Sequence, residues 1–427
     1  MPLSSNIRAL FDALSFDGRP YCLNELDCDA LDFADRHGLT LLLCGVGSQN
    51  HRLNACATAQ HQCLADPGGT GLQPVSEFFN VLSQPAASRI TSTLARNSIR
   101  VERVQAAYRE IADLFEHHGI DHVVLKGFTH VPCLVPDARL RVQYDLDLYV
   151  PRAQQIAARD ALRSLGYEPI EELEGLAMDH LPTMIRKTGW EWRGDYFDPE
   201  IPISVEVHFR FWDATTERLH PEGLDAFWTR RQGHRLHPVD ILGYAALHLT
   251  RHLLRGNVRA SHAWEIGRFL HTRHDPAFWK QWKQWHAPSL RRLEAVAFQL
   301  ARWWFACDLP PEAEREVQAL PESTRRWFED YGRPPVDPPN KRELWLHMSL
   351  VELWTDRVSI LRRRLLPFSL PGPVDAVHIQ EKDMTLARRV KKHARYAAYT
   401  GSRAIHHGKL LAPTLREGFN WWLRSQR

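Results

Sequence analysis

Two aspartates and a glutamate stand in short segments where apolar and polar residues alternate. Asp145 and Asp147 alternate with leucines, and Glu206 lies in a similar segment, residues 203–209. Side chains two positions apart in a strand project from the same face, so the two aspartates point together while the leucines face the core. Like charges this close raise each other's pKa, so a half-buried pair needs a cation to neutralise it. The spacing therefore predicts a metal site.

A hard divalent cation suits these carboxylates. Mg²⁺, or Mn²⁺ in its place, prefers carboxylate oxygens together with substrate phosphates. Two such ions about 3.5–4 Å apart can hold the attacking and leaving oxygens of an in-line phosphoryl displacement. An adjacent strand would bring Glu206 opposite the aspartates, where it can also take the proton of an acceptor hydroxyl. We therefore expect Asp145, Asp147 and Glu206 to be both the catalytic residues and the metal ligands.

Basic and small residues nearby suit a nucleotide triphosphate. Gly127 ends a short apolar segment, where the backbone can approach a phosphate without a side chain in the way. Lysine and arginine neutralise phosphate oxygens, and the planar arginine fork matches their geometry. His208 shares a face with Glu206 and is either a phosphate contact, a partner that orients Glu206, or a structural histidine. The candidate nucleotide-binding residues are Lys126, Gly127, Arg139, Arg141 and His208.

Periodicity predicts the elements that must position these residues. Strands are predicted at 123–125, 145–150 and 203–209, and helices at 101–115 and 152–165. The sequence turns helical again from residue 221 to about residue 330, where it is rich in tryptophan. His248 and His252 are four apart on a predicted helix, a spacing that permits metal binding, but helix packing or acceptor contact is the preferred interpretation because no HExxH glutamate accompanies them.

The order of these residues resembles that of a known family. Lys126-Gly127, then Arg141-x-x-x-Asp145-x-Asp147, then Glu206-x-His208 is similar to an uncharacterised bacterial nucleotidyltransferase family of the polymerase-β-like superfamily. Segments 248–252 and 264–266 resemble that family's helical half, so the resemblance spans about residues 98–270. It implies a small mixed sheet flanked by helices, with Gly127 at the triphosphate and the three carboxylates on the metal.

The resemblance also implies a reaction and two departures from the family pattern. The reaction is transfer of a nucleoside monophosphate from an NTP, expected to be ATP, to a hydroxyl of an unidentified acceptor, with pyrophosphate leaving. Phe128 follows a single glycine where the superfamily has Gly-Gly or Gly-Ser, which leaves Thr129 as a substitute hydroxyl for nucleotide binding. Tyr144 replaces a small residue. These two aromatics favour one alternative, a catalytically inactive nucleotide-binding or scaffold protein.

The predicted fold class is α+β, a small mixed β-sheet nucleotidyltransferase core with helical regions on either side in sequence. Proline clusters at 334–339 and 367–373 mark breaks between helical segments. The predicted regions are an N-terminal helical region at 1–97, the catalytic core at 98–225, a helical domain at 226–332 and a basic helical region at 333–427.

Composition narrows the class of protein further. Fifty-four lysines and arginines nearly balance 51 acidic residues, so the whole chain has no nucleic-acid-binding signature. Seven cysteines without a CxxC pair, no signal peptide and no apolar run of membrane-spanning length predict a reduced, cytoplasmic protein. From residue 386 onwards, however, basic residues far outnumber the single acidic residue, Glu417. This tail is suited to binding nucleic acid, as in an RNA-directed or toxin-like nucleotidyltransferase, or to binding an anionic membrane surface. The other interpretation is a solvated helix whose aromatic residues pack on the body of the protein.

Overall fold

The structure is a computed structural model, and it describes residues 5–18, 26–49, 82–170, 179–333, 341–366 and 385–425. Both proline clusters that the sequence places between helical segments lie outside these residues. Four of the seven cysteines are described, at positions 28, 44, 133 and 307, and all four are free thiols. Within the described part of the chain, no helix combines the length and the apolar character needed to cross a bilayer.

A five-stranded mixed sheet carries the predicted carboxylates. Its strands are β1 (Val123–Val124), β2 (Asp145–Tyr149), β3 (Glu168–Pro169), β4 (Met184–Ile185) and β5 (Ser204–His208). Their order across the sheet is β1-β2-β5-β4-β3, and only β2 and β5 pair in parallel; the other neighbours are antiparallel. The two longest strands are therefore hydrogen-bonded neighbours at the centre of the sheet.

Helices account for most of the remaining described residues. In the described ranges the helices are α1 (Ser5–Ala13), α2 (Cys28–His37), α3 (Thr40–Gln49), α4 (Gln84–His117), α5 (Gln155–Ser164), α6 (Ala214–Glu217), α7 (Ala226–Thr229), α8 (Pro238–Arg255), α9 (Ala260–Thr272), α10 (Pro276–Trp285), α11 (Pro288–Phe305), α12 (Pro311–Gln318), α13 (Glu322–Tyr331), α14 (Glu343–Leu350), α15 (Trp354–Leu365) and α16 (Leu386–Ser425). The small mixed sheet with helical regions before and after it confirms the predicted α+β class.

Two apolar cores hold these elements together. Alternation in β2 and β5 turns Leu146, Leu148, Val205 and Val207 toward one face, where they pack against α4 and α5 in the smaller core. The larger core joins the N-terminal helices α1–α3 to the helical half around α8–α11. Because one face of the sheet is covered by α4 and α5, the polar residues of the same strands lie on the opposite face.

Helix α8 has clear start and stop signals. His237 caps its N-terminus by accepting a hydrogen bond from the Val239 amide, and Pro238 occupies the first turn. Gly256 ends it in the left-handed conformation, with φ of 73°. These signals fix a helix of 18 residues whose apolar positions are buried along most of its length. The helix thereby presents His248 and Arg251 at set positions beside the sheet.

The 34-residue helix α4 anchors the chain ahead of both central strands. Arg100, which is 1% exposed, donates to the carbonyl of Gln143 at 2.7 Å before β2 and to that of Ile201 at 2.7 Å before β5. One turn earlier, Asn97 donates to the carbonyls of Arg139 and Arg141. The division predicted at residues 97/98 thus falls inside a continuous helix.

We expect Arg100→Met to destabilise the protein strongly. The substitution leaves buried carbonyls without a donor, and losing hydrogen bonds from a charged group costs about 3 kcal/mol in the free energy of unfolding. Urea denaturation measures this loss. Arg103→Met is the matched control, because Arg103 donates to the Pro199 carbonyl and pairs with Glu200 near the surface, where an ion pair contributes about 1 kcal/mol or less. Equal losses for the two variants would contradict the anchoring role of Arg100.

Candidate active site

The polar face of β2 and β5 brings the predicted carboxylates together. In the parallel pair Asp147 lies directly opposite Glu206, and Asp145 lies opposite Ser204. Asp147 is 1% exposed, whereas the side chains of Asp145 and Glu206 are 31% and 23% exposed. The site is therefore open to solvent on the side of Asp145 and Glu206 and closed behind Asp147.

Lys126 places a positive charge between the two aspartates. Its Nζ lies 3.3 Å from Asp145 Oδ2 and 3.2 Å from Asp147 Oδ2. Burial alone would lower the pKa of Lys126, but the charges of Asp145, Asp147 and Glu206 outweigh it and raise the pKa. The lysine is thus a permanent positive charge placed between the carboxylates.

His208 connects the carboxylates to the interior of the protein. Its Nε2 lies 3.2 Å from Asp147 Oδ1 and 3.4 Å from Glu206 Oε2, and its Nδ1 lies 3.6 Å from Asp179 Oδ2. Arg251 on α8 donates to the same Asp179 oxygen at 2.6 Å. Burial would lower the pKa of His208, but the close carboxylates of Asp147, Asp179 and Glu206 raise it well above the usual value. These carboxylates therefore favour the protonated imidazole, and Nε2 would have to lose its proton in order to ligate a metal ion.

The charge of Glu206 is correspondingly fixed. Burial would raise the pKa of its carboxyl, but the hydrogen bond with His208 and the nearby His180 prevail and lower it to about 2. Thr183 also donates to Glu206 Oε1 at 3.1 Å. The pKa of Asp179 is lowered in the same way, since hydrogen bonding to His208 and the charge of Arg251 outweigh its burial. Glu206 is consequently anionic throughout the physiological pH range.

These side chains suit a divalent cation. One donor atom from each of Asp147, Glu206 and His208 lies within 4.8 Å of the others. Asp147 Oδ2 is buried without a hydrogen-bond donor in the described part of the chain, although Lys126 forms an ion pair with it. A carboxylate oxygen in this position is available to a metal. Asp145 is not a member of this three-residue group, but it forms an ion pair with Lys126, which also pairs with Asp147.

Gly127 begins a tight turn immediately after Lys126. Its φ is +83°, a backbone conformation that residues other than glycine rarely adopt. A Cβ at this position would lie 2.2–2.3 Å from side-chain atoms of Gln143. Gln143 spans the turn by accepting from the Phe128 amide at 3.0 Å and donating to the Asp145 carbonyl at 2.8 Å. The turn and the start of β2 are thereby tied to each other.

We expect Gly127→Ala to destabilise this turn severely. The φ strain and the displacement of Gln143 together cost about 2 kcal/mol or more in the free energy of unfolding. Gly119→Ala provides the control, because Gly119 also has positive φ, of 65°, but no atom lies within 4 Å of the position a Cβ would take. Urea denaturation of both variants separates the strain from the collision. A loss no larger at Gly127 than at Gly119 would contradict the close approach of Gln143.

The other predicted nucleotide-binding residues lie in different surroundings. Arg141 donates to Glu265 at 2.9 Å, and Thr129 donates to the Lys126 carbonyl at 3.2 Å within the turn. Arg139 is bonded to both carboxylate oxygens of Asp137 rather than to the central carboxylates. A nucleotide role for these three residues stays a prediction.

Histidines of α8 and α9 lie on the far side of Lys126. His248 Nε2 is 3.3 Å from Lys126 Nζ and 3.1 Å from His252 Nε2. Burial and the charge of Lys126 lower the pKa of His248 well below its usual value, so it is neutral. A small cavity adjoins this contact and is lined by Lys126, His130, Arg141, Tyr244, Ala245, His248, His262 and Glu265. Buried polar atoms of His130, Tyr244 and His262 have no hydrogen-bond partner in the described residues.

The two aromatic departures from the family pattern pack away from the carboxylates. The Phe128 ring lies 5.2 Å from that of Tyr108 and joins the smaller core. Tyr144 donates its hydroxyl hydrogen to the Tyr196 carbonyl at 2.8 Å, and the guanidinium of Arg100 lies 5.3 Å from its ring. Both bulky side chains therefore have packing roles of their own.

Three residues of this site were missed by sequence reasoning. Asp179 precedes a strand of two residues and has no surrounding pattern, so no sequence signal marks it. Gln143 is similarly unmarked. Arg251, in contrast, lies within the segment 248–252 that resembles the family's helical half, and its place between His248 and His252 in that segment was a usable signal.

Comparison with known proteins agrees with this geometry. No curated protein and no solved structure matches the chain. A family profile described as "uncharacterised nucleotidyltransferase" matches residues 29–306, about two thirds of the chain, and so covers the sheet, α8 and α9. The match begins within the N-terminal helices, well before the resemblance apparent at residue 98. The chain belongs to this uncharacterised nucleotidyltransferase family.

Proposed function

We propose that this protein is a metal-dependent enzyme that transfers a nucleoside monophosphate from an NTP, with ATP as the expected donor, to a hydroxyl of an acceptor. The observation that carries the proposal is the register of β2 and β5, in which Asp147 and Glu206 are opposite each other with Asp145 beside them. Parallel neighbours hold this spacing rigidly. Membership of a nucleotidyltransferase family supports the reaction class.

The chemistry assigned to this chain's residues is positioning, charge neutralisation and proton acceptance. The acceptor oxygen bonds to the α-phosphorus as the bond to the β-phosphate oxygen breaks, and pyrophosphate leaves. Bound by Asp145, Asp147 and Glu206, with His208 within reach, Mg²⁺ or Mn²⁺ would neutralise charge on the attacking and leaving oxygens. Lys126 is placed to neutralise phosphate oxygens, and Glu206 to accept the hydrogen of the acceptor hydroxyl.

The alternative of an inactive scaffold loses its main support in this geometry. It was favoured by Phe128 and Tyr144 as obstructions at the nucleotide pocket. Their side chains instead contact Tyr108 and Tyr196, respectively. Asp145 and Glu206 remain partly exposed to solvent, so we keep the enzyme as the proposal.

The decisive experiment follows the position of the label. Purified protein is incubated with each NTP labelled at the α- or the γ-phosphate, with Mg²⁺ or Mn²⁺ and fractionated cell extract. We expect one acceptor fraction to be labelled from the α-phosphate only, with release of pyrophosphate, and no labelling by Asp147→Asn protein. Labelling from the γ-phosphate would identify a kinase instead. NTP binding without labelling in any fraction would support the scaffold.

A further inference from the structure

The C-terminal helix α16 carries a long apolar surface that faces solvent. At about 100° per residue, the positions on one arc from Leu386 to Leu423 are all apolar or glycine. Its large members are strongly exposed: Leu386 is 78%, Val390 61%, Ile405 62% and Phe419 58% exposed. We call this surface the apolar arc of α16.

The contacts of α16 with the body come from other sides of the helix. Trp421 is buried and donates its indole N–H to the Ser323 carbonyl, Glu417 pairs with Arg342, and His407 contacts the Leu365 carbonyl. At 100° per residue these three residues lie between about 220° and 300° around the helix from Leu386, whereas the apolar arc spans about 0–100°. Within the described parts of the chain, packing onto the body therefore leaves the apolar arc uncovered.

A basic strip borders the apolar arc between residues 391 and 416. Lys391, Arg395, Lys409 and Arg416 fall between about 120° and 180° on the same reckoning, and no acidic residue lies on that side. The single acidic residue of the helix, Glu417, lies beyond the strip and is already paired with Arg342. An apolar face beside a polar face whose charges are all positive is the pattern of a helix that rests in the plane of a membrane surface.

We propose that α16 binds an anionic membrane surface, with its apolar arc in the boundary between headgroups and acyl chains and its basic strip against the headgroups. The aliphatic residues along most of the arc suit lipid better than nucleic acid, which is bound mainly by basic and aromatic side chains. An antiparallel pairing of two copies across the arc is disfavoured, because it would bring the two basic strips together on one side without acidic partners. Forty residues give a helix about 60 Å long, a large area for such contact.

The test is flotation of the full-length protein with vesicles. We expect it to float with vesicles of phosphatidylcholine containing about one third phosphatidylserine, to bind neutral phosphatidylcholine vesicles at least about tenfold less, and to be weakened by about 0.5 M salt. The double variant Lys391→Glu/Lys409→Glu should lower the partition coefficient at least about 25-fold, since each basic residue contributes about fivefold. Helix content by circular dichroism checks that each variant is folded.

A matched pair of apolar variants separates the arc from general effects of charge. Ile405→Asp should abolish flotation, because it places a charge in the apolar arc. Ile156→Asp should leave flotation unchanged, because Ile156 is also an exposed isoleucine, 47% exposed, but lies on α5. Failure to float with anionic vesicles, or flotation unaffected by Ile405→Asp, would overturn the proposal. So would a dimer in solution that Ile405→Asp dissociates, or RNA binding without vesicle binding. Nucleotidyl transfer enters none of these readouts, so this proposal fails or stands apart from the proposed function.

Discussion

Asp147→Asn and Asp145→Asn should each reduce metal-dependent NTP consumption by about 10³-fold or more while the protein stays folded. The neutral amide is a poor ligand for a hard cation, and the metal contributes several kcal/mol to transition-state stabilisation. Asparagine has nearly the same shape as aspartate, so packing around β2 changes little. Initial rates of pyrophosphate release with saturating Mg²⁺ or Mn²⁺ measure the effect.

The control for these variants is Asp160→Asn on α5. Asp160 is 55% exposed and pairs only with neighbouring surface arginines, so its loss should leave the rate within about twofold. Thermal denaturation of all three variants establishes that they are folded. Rates of Asp145→Asn and Asp147→Asn close to that of Asp160→Asn would reject the assignment of the carboxylates.

Lys126→Met should change metal affinity and turnover in opposite directions. In the metal-free protein Lys126 neutralises Asp145 and Asp147, so it competes with a divalent cation for them. Removing it should tighten Mn²⁺ binding several-fold, while kcat/KM for the NTP falls about 100-fold because a phosphate contact is lost. Titration calorimetry with Mn²⁺ and steady-state kinetics give the two quantities.

Lys187→Met is a closely matched control for this variant. Lys187 pairs with Glu168 at 3.3 Å on the far edge of the same sheet, and its side chain is 11% exposed compared with 12% for Lys126. Both Mn²⁺ affinity and kcat/KM should stay within about twofold of the unaltered protein, since the charge removed is remote from the carboxylates. Weaker Mn²⁺ binding in Lys126→Met would show that the lysine supports the cation rather than competing with it.

The central strands and their carboxylates could be predicted because the alternation of apolar and polar residues indicates which face of the strand each residue occupies. Segments 145–150 and 203–209 both alternate, and the structure has β2 at Asp145–Tyr149 and β5 at Ser204–His208. The two-residue strands β3 and β4 are too short for any periodic signal, so these two strands could not be predicted from the sequence. Helix α4 was predicted only from residue 101, although it begins at Gln84.

The interactions that hold the site in place were not predictable for a different reason. Arg100 and Asp179 act through hydrogen bonds to groups that are distant in sequence, at separations of 101 residues to Ile201 and 72 residues to Arg251. A charged residue on a helix is usually solvated, and nothing local distinguishes Arg100 from its exposed neighbours. Residue type and spacing thus indicated which side chains are candidates for chemistry, whereas their alignment depends on tertiary contacts.

From one position on α4, Arg100 donates hydrogen bonds to the backbone just ahead of both strands that carry the carboxylates. The spacing of Asp147 and Glu206 is therefore set by α4 and the sheet, whereas α8 reaches the carboxylates only indirectly, through His248 beside Lys126 and Arg251 bonded to Asp179. A substitution that shifts α8 should consequently alter the surroundings of Lys126 and His208 before it alters the distance between the two central strands.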